Sequence, residues 1–176
     1  MGIKASLNFG LSNSLKEGFP NIKLTPKKIE FSEIKDINWL IGFAEAEWCF
    51  QVVIQNLEKA QINLRFTLTQ HSKDEVLMKS LYNCLGCGRY NPVSGRDEGY
   101  FTVSSLSDIY GKIIPLLEKY PLVGSKQQDY LDFRKAAELM KSKAHLTEEG
   151  LDEIKQIKGG MNRGRNSHMG LYKIVG

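Results

Sequence analysis

The sequence predicts an α+β fold of the order helix, strand, strand, helix, strand, strand, helices, with the four strands in one antiparallel sheet, and three observations predict it. Phe50 to Gln55 and Ile62 to Thr69 each alternate apolar and polar residues with period two, and the Asn56 to Ala60 stretch between them reads as a turn. A second pair of strand candidates, about Gly88 to Val93 and Tyr100 to Ser104, flanks the turn Ser94-Gly95-Arg96-Asp97-Glu98-Gly99. Apolar residues at helical spacing precede each pair and recur in the last third of the chain.

Length and charge bound what such a fold can be. With 176 residues, 41% of them hydrophobic, the chain is long enough for one domain with its own core plus peripheral helices, and two full domains would be crowded. A net charge of +4 and a pI of about 8.9 suit a polyanionic partner without requiring one. The three cysteines, Cys49, Cys84 and Cys87, are odd in number. Cys84-Leu85-Gly86-Cys87 invites a zinc or redox reading, but no second ligand pair accompanies it, so the cysteines read as small buried residues in a reducing compartment. No apolar run approaches the ~20 residues needed to span a bilayer, and Met1-Gly2-Ile3-Lys4 opens no signal peptide, so no membrane partner is expected.

In the first 35 residues, a short helix is expected around Ser12 to Glu17, a break at Phe19-Pro20-Asn21, and an extended polar segment through Thr25-Pro26-Lys27-Lys28. Asp36 is the expected N-cap of the next helix. In that helix Trp39, Gly42, Phe43 and Ala46 share one face, and the small pair Gly42 and Ala46 lets another helix approach closely. Glu47 ends the helix, where a carboxylate meets unpaired carbonyls and the unfavourable end of the dipole. A bound divalent cation would offset both; the alternative is a solvated surface glutamate. In the second strand Ile62, Leu64, Phe66 and Leu68 face one way, Asn63, Arg65, Thr67 and Thr69 the other.

Ser72 and Glu75 suggest a capping box for a helix over about Lys73 to Leu85 with the stripe Val76, Leu77, Ser80, Leu81 and Cys84. Ser107 or Asp108 is expected to start a helix that runs through Leu117, with Pro115 as a possible kink. Two amphipathic helices then fill Lys126 to Met161: one buries Tyr130, Phe133, Ala136, Ala137 and Met140; the other opens at Thr147-Glu148-Glu149-Gly150 and buries Leu151, Ile154 and Ile157.

Leu40-Ile41-Gly42-Phe43-Ala44-Glu45-Ala46-Glu47-Trp48 resembles the LAGLIDADG motif of homing endonucleases, in the form frequent in fungal organellar introns. Gly124-Ser125-Lys126-Gln127-Gln128-Asp129-Tyr130-Leu131-Asp132-Phe133, His145-Leu146-Thr147-Glu148-Glu149-Gly150-Leu151 and Met161-Asn162-Arg163-Gly164-Arg165 resemble the ending of the same enzymes. The resemblance implies a homing endonuclease domain over residues 36–165. Residues 1–35 are similar to the connector that, in two-motif members, enters the second motif helix, which implies a missing first half. Residues 166–176 continue no pattern, and Ser167-His168-Met169 resembles a cloning remnant.

The resemblance further implies pairing of the Trp39, Gly42, Phe43 and Ala46 face with a second LAGLIDADG domain, in a homodimer or with a missing half. Two copies of Glu47 would then stand near a twofold, over the middle of double-stranded DNA. Glu47 is the implied catalytic and metal-binding residue, aided by the Ala46 main-chain carbonyl, and hard oxygen ligands select magnesium. Readout is expected on the open strand faces, from Gln51, Gln55, Asn63, Arg65, Thr67, Thr69, Arg89, Asn91, Thr102 and Ser104, with Lys126 on backbone phosphate; each has the alternative of a solvated surface side chain. Gln70-His71 also fits the family pattern without giving His71 a catalytic role. A mitochondrial location follows by resemblance, and so do two alternatives on one scaffold: an intron RNA splicing cofactor, or a DNA-binding domain that does not cut. The departure is Trp48, where the family has glycine. The expectation is that its indole stands beside the twofold, gluing a dimer or pushing the helix ends apart, and that Trp48→Gly raises cleavage.

Overall fold

The computed structural model describes residues 13–18, 20, 34, 36–57 and 59–162. The chain divides into two compact units, residues 1–31 and 32–176. In the first, helix α1 spans Asn13–Gly18, one residue later than expected. The extended segment predicted through Thr25 to Lys28, Arg163 to Arg165 and residues 166–176 lie outside the described residues.

In the second unit, helix α2 (Ile37–Glu47) begins where the sequence expects it, because the Asp36 carboxylate accepts the backbone N–H of Asn38 at 2.9 Å. Strand β1 (Trp48–Asn56) follows without an intervening residue and pairs antiparallel with β2 (Gln61–His71), from Trp48↔Leu68 to Ile54↔Ile62. Strands β3 (Arg89–Pro92) and β4 (Glu98–Val103) form the second hairpin, and β4 pairs with β2, giving one antiparallel sheet of order β1-β2-β4-β3.

One face of the sheet carries Trp48, Phe50, Val52, Ile62, Leu64, Phe66, Leu68, Phe101 and Val103, all buried. The period-two alternation thus sends these nine side chains into one core. Helix α3 (Glu75–Leu85) covers the β2–β4–β3 part of this face; α5 (Ser125–Lys141) and α6 (Glu148–Gly160) cover the β1 side. Phe133 of α5 meets Phe50 with ring centroids 5.2 Å apart, so the aromatic residues of strand and helix form one cluster. Close packing also fixes two glycines. Gly88, at φ +90°, leads into β3 with its α-carbon so near Phe101 that a Cβ would lie 2.3 Å from the ring. A Cβ on Gly150 would lie 2.1 Å from the Ala144 carbonyl oxygen.

Four expectations are corrected. Ser72 and Glu75 form no capping box: Ser72–Asp74 is a 3₁₀ turn capped by His71, whose Nδ1 accepts the Lys73 N–H at 3.1 Å. The buried stripe of α3 is Met78, Leu81 and Leu85, while Val76 is 64% exposed, because these three residues at i, i+3 and i+7 centre the apolar face one residue round from the predicted one. Helix α4 is capped by Ser105 and built of Leu106–Asp108, a π turn at Ile109–Ile113 and Ile114–Lys119. The accommodation to Pro115 is that wide turn, which relieves the clash of the proline ring with the carbonyl four residues back. The fourth concerns Trp48. It is the first residue of β1, 1% exposed, and packs edge-on against Phe66 with centroids 4.4 Å apart. Trp48 shares the parity of Phe50 and Val52, so it points into the core and neither fills nor blocks the space beside a partner helix.

Candidate nucleic-acid interface

Helices cover one sheet face only. On the other, the backbone register sets polar side chains in rows: Gln51 opposite Arg65, Thr67 opposite Thr102 and Thr102 opposite Arg89, then Thr69 opposite Tyr100 and Tyr100 opposite Asn91. Seven of the ten expected readout residues, Gln51, Arg65, Thr67, Thr69, Arg89, Thr102 and Ser104, line one open concavity of about 390 Å³ together with Tyr100. Asn63, half-buried opposite Val53, and Asn91 lie on the same face outside that hollow. Gln55 is exposed at the register shift between Ile54 and Asn56 and borders a separate groove.

The electrostatics of the two sides differ. On the helical layer Lys79, Lys112, Arg134, Lys135 and Lys155 each pair with an aspartate or glutamate within 4.0 Å. The hollow on the sheet holds two arginines and no carboxylate, and among the described residues neither Arg65 nor Arg89 forms an ion pair. Exposed pairs of the first kind contribute little to stability, but each neutralises its own charge at long range. Arg65 and Arg89 leave uncompensated positive charge in the hollow on the open sheet.

At the end of α2, Glu47 is exposed, whereas Glu45 is engaged: its carboxylate accepts the backbone N–H of Val123 and ties the helix to the loop before α5. Lys126 is half-buried, and its ammonium donates to the Trp48 carbonyl, one residue past Glu47. A cation thus already meets the carbonyl end of α2, which offsets part of the electrostatic cost of finishing that helix on an acid. Among the described residues no group of three or more His, Cys, Asp or Glu side chains could hold a metal ion. The donors on hand are the Glu47 carboxylate and the main-chain carbonyls of the last helical turn, that of Ala46 among them. These are hard oxygens, the donor type a magnesium ion takes, and too few to complete a shell, so the set fits an ion whose remaining ligands come from phosphate and water.

Along α2, Leu40 and Ile41 face the core, while Gly42 and Ala46 are exposed and Trp39 is 46% exposed, its ring stacked on Phe43 at 5.3 Å. Beyond its own helix backbone, no heavy atom of the described residues lies within 4 Å of a Cβ placed on Gly42. The helix therefore has an inward apolar face and a second, outward one of small and aromatic residues.

The sequence profile of LAGLIDADG endonucleases matches residues 40–137, from α2 through most of α5. The chain belongs to this family. Among solved structures it resembles the LAGLIDADG homing endonuclease I-SmaMI bound to cleaved DNA, with a TM-score of 0.80 and 44% identity over 92% of this chain and 56% of that one. A curated Neurospora crassa relative, "Probable intron-encoded endonuclease 2", is 36% identical over 91% of this chain and 39% of its own length. A Schizosaccharomyces pombe relative, an uncharacterized cox1 intron-2 protein, is 34% identical over 68% of this chain and 36% of its own length. The chain thus spans little more than half of the solved relative and less than half of these curated relatives. Its fold is that of the LAGLIDADG homing endonucleases, and α2 is the motif helix.

Sequence reasoning missed three residues near the LAGLIDADG helix and sheet. Tyr100, 39% exposed, is the one aromatic side chain lining the hollow; its parity with Thr102 was the available signal. Glu45 gave no sign of its bond to Val123, 78 residues away. Asn162, at φ 52°, donates its Nδ2 to the Phe50 carbonyl at 3.0 Å, and its backbone N–H to the Asp129 carboxylate at 2.9 Å, so it fastens the end of α6 to the edge of β1.

Proposed function

We propose that this chain is one domain of a site-specific, metal-dependent DNA endonuclease of the homing type, which reads duplex DNA on its open sheet and contributes one strand cut. The observation that carries the reading is the hollow of Gln51, Arg65, Thr67, Thr69, Arg89, Thr102 and Ser104, which among the described residues holds two arginines without an ion pair and no acid. Arginine and glutamine make bidentate bonds to guanine and adenine in the major groove, each such pair giving about 1–3 kcal/mol of discrimination. Asn63, Asn91 and Gln55 extend the readout along and beyond the same face.

The outward face of α2, Trp39, Gly42, Phe43 and Ala46, receives the motif helix of a second LAGLIDADG domain, from another copy or another half. That pairing sets two Glu47 carboxylates near the twofold, facing the centre of the duplex. Glu47, with the Ala46 carbonyl, would hold a magnesium ion, which when bound polarises the phosphoryl oxygen, lowers the pKa of water and stabilises the leaving alkoxide. Lys126, held against the Trp48 carbonyl, keeps two of its three N–H donors for a phosphate oxygen beside Glu47. Relatives described as intron-encoded, one of them by a cox1 intron, support a mitochondrial setting.

The test couples mass measurement, with and without duplex, to cleavage of a randomised target pool in magnesium. The expected result is a paired assembly that cuts a long site, and a Glu47→Gln protein that binds the same site without cutting. Absence of specific duplex binding and of cleavage, for the chain alone and with a second half, refutes the reading. Preference for intron RNA over duplex, with Glu47→Gln harmless, replaces it by splicing assistance.

A further inference from the structure

We infer that the DNA-binding surface continues past the sheet, over the outer edge of β1, onto a basic shoulder on α6 in which Lys158 neutralises a backbone phosphate. The inference rests on the proposed DNA reading and extends it to a surface that the ten readout residues do not include. Its basis is the continuity of three hollows. The central one on the sheet includes Gln51. Gln51 also lines a second hollow, of about 310 Å³, with Lys158 and Asn162. Lys158 in turn lines a third, of about 810 Å³, with Gln55, Asn56 and Lys155 beside the β1–β2 turn. Two shared residues thus link the centre of the reading face to the side of α6 without a break.

The edge is held in place for this. Strand β1 is an edge strand of the sheet, and Asn162 bonds the Phe50 carbonyl, which fixes the C-terminal end of α6 alongside it. Lys158 lies in the last turn of α6, and among the described residues it forms no ion pair. Lys155, one turn earlier, is paired with Asp152 at 2.7 Å, 43% and 58% exposed, a contact that water already weakens. No aspartate or glutamate lines either outer hollow among the described residues. Among the described residues both outer hollows carry ammonium groups and no arginine, the pattern of point-charge attachment to a sugar–phosphate backbone, where a base edge would call for the planar fork. A duplex lying on the sheet and following these hollows presents phosphates, not bases, to Lys158.

The test measures binding of a mixed-sequence DNA duplex to the full chain over a range of salt concentrations. Each phosphate neutralised contributes a slope of about 0.9 in log affinity against log salt. Lys158→Gln is expected to reduce the slope by about 0.9 and weaken binding about eightfold at ~0.1 M salt, alike for specific and mixed sequences. Lys79→Gln, an equal charge change on the helical layer, is expected to leave the slope within about 0.3 of the unmodified chain. An unchanged slope for Lys158→Gln, in a chain that binds duplex, overturns the shoulder and leaves the proposed function standing. An equal fall for Lys79→Gln overturns it too, as an effect of net charge. A fall seen with single-stranded RNA and not with DNA assigns the shoulder to RNA and overturns the inference, and a chain that binds no duplex at all overturns the reading beneath it.

Discussion

Replacing Trp48 by glycine, the residue the LAGLIDADG pattern carries there, is expected to damage the domain and leave cleavage no better. The indole is 1% exposed and edge-on to Phe66. A buried aromatic side chain removes about 150–250 Å² from water, which at about 25 cal/mol per Å² is about 4–6 kcal/mol. That agrees with the 3–5 kcal/mol or so found for large aromatic truncations in cores, and a glycine in a strand adds about 0.5–1 kcal/mol. With a urea m-value of about 2 kcal/mol/M, the unfolding midpoint falls by about 2–3 M. Trp48→Phe keeps most of the burial and is expected to lose about 1–2 kcal/mol. A double-mutant cycle with Phe66→Leu should return a coupling of about 0.5–1.5 kcal/mol for the edge-on pair. Urea unfolding followed by circular dichroism makes the measurement. A Trp48→Gly midpoint within about 0.5 M of the unmodified chain, or faster cleavage at equal stability, refutes the placement of the indole in the core and restores it to the helix interface.

Gly42→Leu is expected to stabilise the isolated domain by about 0.5–1 kcal/mol, since a Cβ there has open space among the described residues, while abolishing association with a second motif helix; sedimentation detects the loss. Gly150→Ala drives a methyl group into the Ala144 carbonyl and is expected to cost about 1–3 kcal/mol, whereas Gly159→Ala on the same helix, with open space around it, is neutral or stabilising by thermal melting. Glu45→Ala frees the Val123 amide, whose hydrogen exchange is expected to quicken about tenfold or more, with β2 amides unchanged.

What the sequence made legible was what period alone decides. The alternation in β1 and β2 sorted Phe50, Val52, Leu64 and Phe66 from Gln51, Arg65 and Thr67, and the core and the open face follow from it. Asp36 and Thr147 were readable as caps because each acts on its own helix start: the Thr147 hydroxyl accepts the Gly150 N–H at 3.1 Å. At Ser72 the same local rule failed, because His71, the last residue of β2, reached the Lys73 amide and left a 3₁₀ turn before the helix. Trp48 departs from expectation because the family pattern sets that position at the helix end beside the twofold, whereas the parity of Phe50 and Val52 extends back to it and sends the indole into the core. The tethers of Glu45, Lys126 and Asn162 join residues 78 to 112 positions apart, and nothing near either end of such a bond foretells it.

The absence of any loop between Glu47 and Trp48 has a consequence for how such a domain can change its target. If the open sheet reads DNA as proposed, substitution at Gln51, Gln55 or their neighbours alters individual letters of the recognised sequence and leaves the frame intact. Inserting or deleting a single residue at this joint would turn every β1 side chain over, sending Phe50 and Val52 to water and Gln51 inward. On the proposed reading, change of target at this strand is therefore confined to spelling, while the joint holds Glu47 at a constant distance from the β1 side chains.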